Sequence, residues 1–314
     1  MKDAETTPPN LSRRDLIKAT ALTATLAATG APIGDLAAQE QPHNKGSEIV
    51  KGIVFETSLG LVQRPAGDAG IGGVLVSNGR DVARTGPDGR YSLPIENGMA
   101  VFVIKPAGYA VPLEPVTRLP RFSYIYQPDG TPVELGLLYP GLSPTGPLPE
   151  SVDFGLIKTE EPASFDVVLF TDPQPESQAE VDFIRDDVVN GLIGVKAAFG
   201  LTAGDLMFDD LSFYDRYNKI IAQIGLPWWN IGGNHDLNFE APDARYSRET
   251  FKRIFGANYY AFEYGKALFL MLDNVDYLGG DPAKLHSKAR IGDALASGSS
   301  LSSPTCCNRP PPTG

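Results

Sequence analysis

Three short polar clusters in this 314-residue chain carry residue types that bind cations and move protons. They are Asp172-Pro173-Gln174, then Gly204-Asp205, then Gly233-Asn234-His235-Asp236. Two carboxylates, Asp172 and Asp205, and the amide oxygen of Asn234 are hard donors, a set suited to a divalent metal ion. Asp172 and Asp205 are 33 residues apart, and Asp205 and Asn234 are 29 apart. Each gap is about one βαβ repeat, so residues distant in the chain are expected to meet in space.

Each cluster closes an apolar run that reads as a strand: residues 165–170, 197–203 and 228–231. Between them, residues 177–189 suit a helix with Ser177 as N-cap and Glu180 three positions on, and residues 211–224 suit a second helix. Strand–helix alternation predicts a parallel sheet with crossover helices. Equal phasing then sets all three clusters at the carboxyl edge of that sheet, where open α/β folds bind ligands. Upstream, residues 49–157 show short β-type runs separated by turn residues. Asn78-Gly79 predicts a hairpin with a type I′ turn. Strands at this spacing predict a β-sandwich of about 100 residues, a structural or docking module with no ionisable cluster of its own. The Pro/Gly-rich residues 139–149 read as a loop or linker.

Composition narrows the function. The chain is 42% hydrophobic and 21% charged, which excludes global disorder. Lys and Arg number 27 against 38 Asp and Glu, a formal charge of −11. That balance argues against binding a nucleic-acid backbone or an anionic membrane. The only two Cys, Cys306 and Cys307, are adjacent, so a disulfide framework and a Cys-based zinc site are excluded. Near the amino terminus, Ser12-Arg13-Arg14-Asp15-Leu16 precedes an Ala/Thr-rich run and a small-residue stretch ending near Ala38. Residues 1–38 therefore resemble a twin-arginine export signal. The run falls short of the ~20 apolar residues of a membrane span. The mature chain is expected to be exported by the twin-arginine machinery to the periplasm or beyond, with no transmembrane span.

The ordered clusters resemble the calcineurin-like metallophosphoesterases, which carry Asp-x-His, Gly-Asp-x-x-(x)-Asp and Gly-Asn-His-Asp on successive strands. The matching residues here are Asp172-Pro173-Gln174, Gly204-Asp205 with Asp209 and Asp210 beyond it, and Gly233-Asn234-His235-Asp236. The resemblance implies that Asp172 and Gln174 bind a first metal, Asn234 a second, and Asp205 bridges them. The two divalent ions (Mn, Fe, Zn or Mg) would activate a water. His235, paired with Asp236, would serve the phosphate of a small-molecule phosphoester as the catalytic group. Gln174 replaces the usual His, as in an Asp-Pro-Gln sub-branch, and its amide oxygen is a harder ligand than imidazole. The segment from Gly73-Val74 through Gly89-Arg90-Tyr91-Ser92-Leu93 resembles the transthyretin-like modules that precede many exported enzymes.

The predicted fold is thus a β-sandwich (49–157) followed by an incomplete α/β phosphoesterase domain (163–284). The family closes its metal site with later histidines, whereas this chain has only three His in all: His43, His235 and His286. From 285 to 314, 15 of 30 residues are Ser, Pro, Gly or Cys and four are Leu or Ile. Such a tail is expected to be disordered and to mark a frame shift or early end. Two readings follow: an exported phosphoesterase, or a catalytically inactive fragment or binding module of that family.

Overall fold

The computed structural model describes residues 47–58 and 69–277. The export-signal and tail expectations lie outside them. Eight strands build the amino-terminal part: β1 (Glu48–Glu56), β2 (Leu75–Ser77), β3 (Val82–Arg84), β4 (Arg90–Ile95), β5 (Ala100–Ile104), β6 (Tyr109–Ala110), β7 (Ser123–Ile125) and β8 (Phe154–Lys158). They form two four-stranded sheets, in the orders β4-β1-β8-β6 and β3-β2-β5-β7. Alternation explains the layering. In β1, Val50 and Val54 are fully buried, whereas Lys51 between them is exposed. β1 pairs antiparallel with β4 but parallel with β8, so the first strand is completed only by chain 100 residues later in register, Val54 opposite Phe154.

The β2–β3 turn differs from the predicted type. Ser77 pairs with Val82 and the Asn78 N–H bonds Asp81 O at 3.1 Å, which makes Gly79-Arg80 the two-residue loop. Only Gly79 has a positive φ, +86°, the pattern of a type II′ turn. Asn78 is instead buried as a bracket. Its Oδ1 accepts from the Arg80 and Asp81 N–H groups, and its Nδ2 donates to Asp81 and to Pro94 O.

Next come β9 (Val167–Phe170), β10 (Phe199–Ala203) and β11 (Trp228–Ile231), a parallel sheet in the order β11-β10-β9. Side chains alternate between two cores. Val168, Phe170 and Trp228 face the helices, whereas Val167, Phe199, Leu201, Trp229 and Ile231 face the other way. A parallel sheet needs cover on both faces. Here the second cover is not helical. It is the antiparallel hairpin of β12 (Tyr260–Tyr264) and β13 (Ala267–Met271), with the sandwich behind it. Trp229 stacks on Phe262 at 4.2 Å, and Phe262 stacks on Phe269 at 4.8 Å.

The first crossover helix starts as its sequence predicts, with Ser177 Oγ accepting the Glu180 N–H. It is α-helical only over Gln178–Phe183, widens to a π-helix over Ile184–Val189, and ends with a turn at Asn190–Leu192. The second runs through Leu211–Phe213, Tyr214–Ile221 and Ala222–Ile224. Two further helices, Ala244–Ser247 and Glu249–Phe255, follow β11.

Beside this shared apolar core, the seam between the two parts carries a buried polar contact. Lys105, one residue past β5, donates to Glu161 at 2.7 Å and to Glu263 O, and lies 5.3 Å from the centre of the Tyr264 ring. Glu161 also accepts the N–H groups of Gly108 and Gly265. The stretch read as a linker is pinned rather than free. The Leu142 N–H donates to Thr131 Oγ1 at 2.7 Å, and Thr250 and Arg253 donate to Pro140 O. No helix among the described residues is long and apolar enough to cross a membrane.

Candidate functional site

Register fixes the site before any side chain is considered. Phe170 lies opposite Thr202 and Ala203 opposite Ile231. The chain therefore leaves all three parallel strands at one level, with Asp172, Asp205 and the 233–236 turn side by side on the carboxyl rim. Backbone bonds tie the exits together: Gly204 N–H to Ile231 O at 3.0 Å, and Gln174 N–H to Asp205 O at 3.1 Å.

The backbone in these exits is strained. Among the described residues, five that are not glycine have positive φ: Arg118, Asp172, Gln174, Asp205 and Asp209. Four of the five belong to this rim, at +49°, +39°, +44° and +65°. Left-handed conformations at such residues persist only where the surroundings enforce them, and they cluster at functional sites.

The side chains converge accordingly. Gln174 Nε2 stands between the two acids, 3.0 Å from Asp205 Oδ2 and 3.3 Å from Asp172 Oδ1. Asp205 is 8% exposed, and its Oδ1 accepts the His235 N–H at 3.0 Å. Burial, with Asp172 close by, raises the Asp205 carboxyl above its ordinary range, opposed by that His235 N–H. Gly233 must be glycine, because a Cβ there would lie 2.0 Å from Asp205 Oδ1 and 2.3 Å from its nitrogen. Asn234 is half-buried on the same turn.

His235 and Asp236 do not pair as expected. His235 Nδ1 lies 2.8 Å from Asp209 Oδ1, and its ring stacks on Phe208 at 4.5 Å between centroids. Asp236 points the other way, inward, 1% exposed. It accepts from the N–H groups of Leu206, Met207 and Gly233 and from the Tyr214 hydroxyl, at 2.8–3.2 Å. Burial pushes its carboxyl up to about 6 even against those donors. The reason for the difference is the tightness of the turn. Successive side chains leave it in opposite directions, so only one of the two reaches the rim. Asp236 thereby organises the loops carrying Asp205 and Asn234, a positioning role. Asp209 is the site residue whose role sequence reasoning missed. Its signal was the second acid of the Gly204–Asp205 segment.

The donors present fit one hard divalent cation. An amide that presents positive hydrogens to two carboxylates marks where positive charge is wanted. Turned over, the same amide would offer Gln174 Oε1 beside Asp172 and Asp205, with Asn234 on the adjoining turn. Among the described residues no group of three or more His, Cys, Asp or Glu is placed to hold a metal. A second ion would have only Asp205 and Asn234 from these residues.

A family profile described as the N terminal of Calcineurin-like phosphoesterase matches residues 57–134. The described part of that stretch lies in the sandwich, from just past β1 to beyond β7, so the likeness to calcineurin-like phosphoesterases that the profile shows belongs to the amino-terminal module. No curated protein and no solved structure matches it.

Proposed function

We propose that the rim formed by Asp172, Gln174, Asp205, Asn234 and His235 is the hydrolytic site of an exported, metal-dependent phosphoesterase acting on a small-molecule phosphoric ester. The observation that carries this reading is the grouping of four left-handed residues around two facing carboxylates. Asp172, Asp205 and the two amide oxygens would hold the cation. Once bound, it would neutralise phosphate charge and lower the proton affinity of an attacking water. His235, its Nδ1–H held by Asp209, would give a proton or hydrogen bond from Nε2 to an ester oxygen as the doubly protonated imidazolium, whereas the neutral ring could only accept there. Phe208 holds the plane of that ring. The twin-arginine signal belongs to the same proposal and assigns export to the periplasm or beyond.

The shortage of acid and imidazole ligands favours a second reading, a binding module with little turnover. Manganese titration of the purified full chain, followed by hydrolysis of aryl phosphate mono- and diesters, separates the two. The first reading expects saturable manganese binding and turnover, with Asp205→Asn losing both and His235→Ala losing turnover by roughly 100-fold or more. Binding without turnover establishes the second reading. Absence of both overturns the metal-site assignment.

A further inference from the structure

An open cavity of about 650 Å³, lined by none of the rim residues Asp172, Gln174, Asp205, Asn234 and His235, lies between the helix Tyr214–Ile221, the helix Glu249–Phe255, and the segments 114–119 and 138–140. Its size is that of a small-molecule site. Val116, Leu119, Leu138 and Ile254 form an apolar lining, with Val116 60% and Leu138 66% exposed, over the buried Leu211.

Four charged side chains line it, and three of them are already engaged. Glu114 Oε2 accepts from the Val116 and Thr117 N–H groups and the Thr117 hydroxyl, at 2.6–2.8 Å. Asp215 pairs with Lys219 at 2.7 Å. Arg253 is different: it spends only Nε, on Pro140 O at 2.9 Å, and no carboxylate among the described residues pairs with it. Its two terminal nitrogens thus present a forked cation to the cavity, a geometry matched to carboxylate or phosphate oxygens. The Tyr139 hydroxyl is engaged with Asp210, so it does not compete for that cation.

The structure assigns this cavity as a binding site for a small amphipathic anion, an apolar chain seated on the four aliphatic side chains with its carboxylate or phosphate on Arg253. The reading is independent of the rim, since none of the proposed metal ligands lines the cavity.

Calorimetric titration of the full chain with hexanoate, octanoate and decanoate, with octyl phosphate and with octanol, all below their micellar concentrations, tests it. Affinity is expected to rise about threefold per added methylene. Arg253→Gln should weaken both anions about fivefold and leave octanol unchanged. Leu138→Glu should weaken every chain. Both residues are exposed, so unchanged melting curves would show that the variants fold. The ratio of octanoate to octyl phosphate affinity identifies the preferred head group. No binding, affinity independent of chain length, or equal affinity in Arg253→Gln would each overturn the assignment.

Discussion

Replacing Asp236 by Asn would set an amide nitrogen against a ring of groups that all donate. Three backbone N–H groups and the Tyr214 hydroxyl converge on its carboxylate. Asp236→Asn is therefore expected to cost about 2–4 kcal/mol in urea denaturation, far more than its near-identical shape suggests. Metal affinity should fall with it, because the loops that present Asp205 and Asn234 are shaped by those bonds. Much of this rim was legible in the sequence. Asp172, Asp205, Asn234 and His235 follow apolar strands at repeat spacing, and register in a parallel sheet turns such spacing into proximity. The partner of His235 was not legible. Which acid an imidazole meets depends on side-chain direction within a tight turn, and adjacency in sequence misleads there: the neighbour Asp236 turns into the core, whereas Asp209, 26 residues away, reaches the ring.

Among the elements, the buried pair across the seam is the most exposed to test. Lys105 and Glu161 have side chains 6% and 3% exposed, and burial lowers the Lys105 ammonium below its ordinary range. Lys105→Met strands the Glu161 carboxylate and is expected to cost about 3–5 kcal/mol. Lys105→Met with Glu161→Gln should recover part of that loss, since the Gly108 and Gly265 N–H groups still have an oxygen to bond. Equal losses in single and double variants would show that the lysine matters for packing alone. The strands themselves were readable because β9, β10 and β11 are continuous apolar runs. What covers their second face was not. The sandwich and the incomplete α/β part were predicted as successive domains, and the packing of Phe122, beside β7, on Trp229 and Tyr260 shows that they share one core. The π-widening at Ile184–Val189 also escaped, because it consists in backbone bonds reaching one residue further, which a six-residue side-chain pattern does not reveal.

For the molecule as a whole, the buried tyrosines set the alkaline limit. Burial raises the hydroxyls of Tyr91, Tyr139, Tyr214, Tyr217, Tyr259, Tyr260 and Tyr264 above the usual 10, and a bond to Glu48 raises Tyr126 to about 12. The folded chain then binds more protons than the unfolded chain above pH ~10, so stability falls as pH rises past that point. Lys105 and Lys252, lowered by burial, act in the opposite sense, but they are two against eight. Absorbance at 295 nm should show these tyrosines ionising together, in step with loss of circular dichroism. Smooth independent titration near 10 would contradict the burial. The parallel pairing of β1 with β8 has a consequence for synthesis. A chain emerging from the ribosome exposes β1 long before Phe154 arrives to complete it, and the hairpin that closes the shared core emerges a further hundred residues later. The shared core cannot close until that hairpin has emerged, so nascent β1 is expected to be a natural target for a chaperone until then.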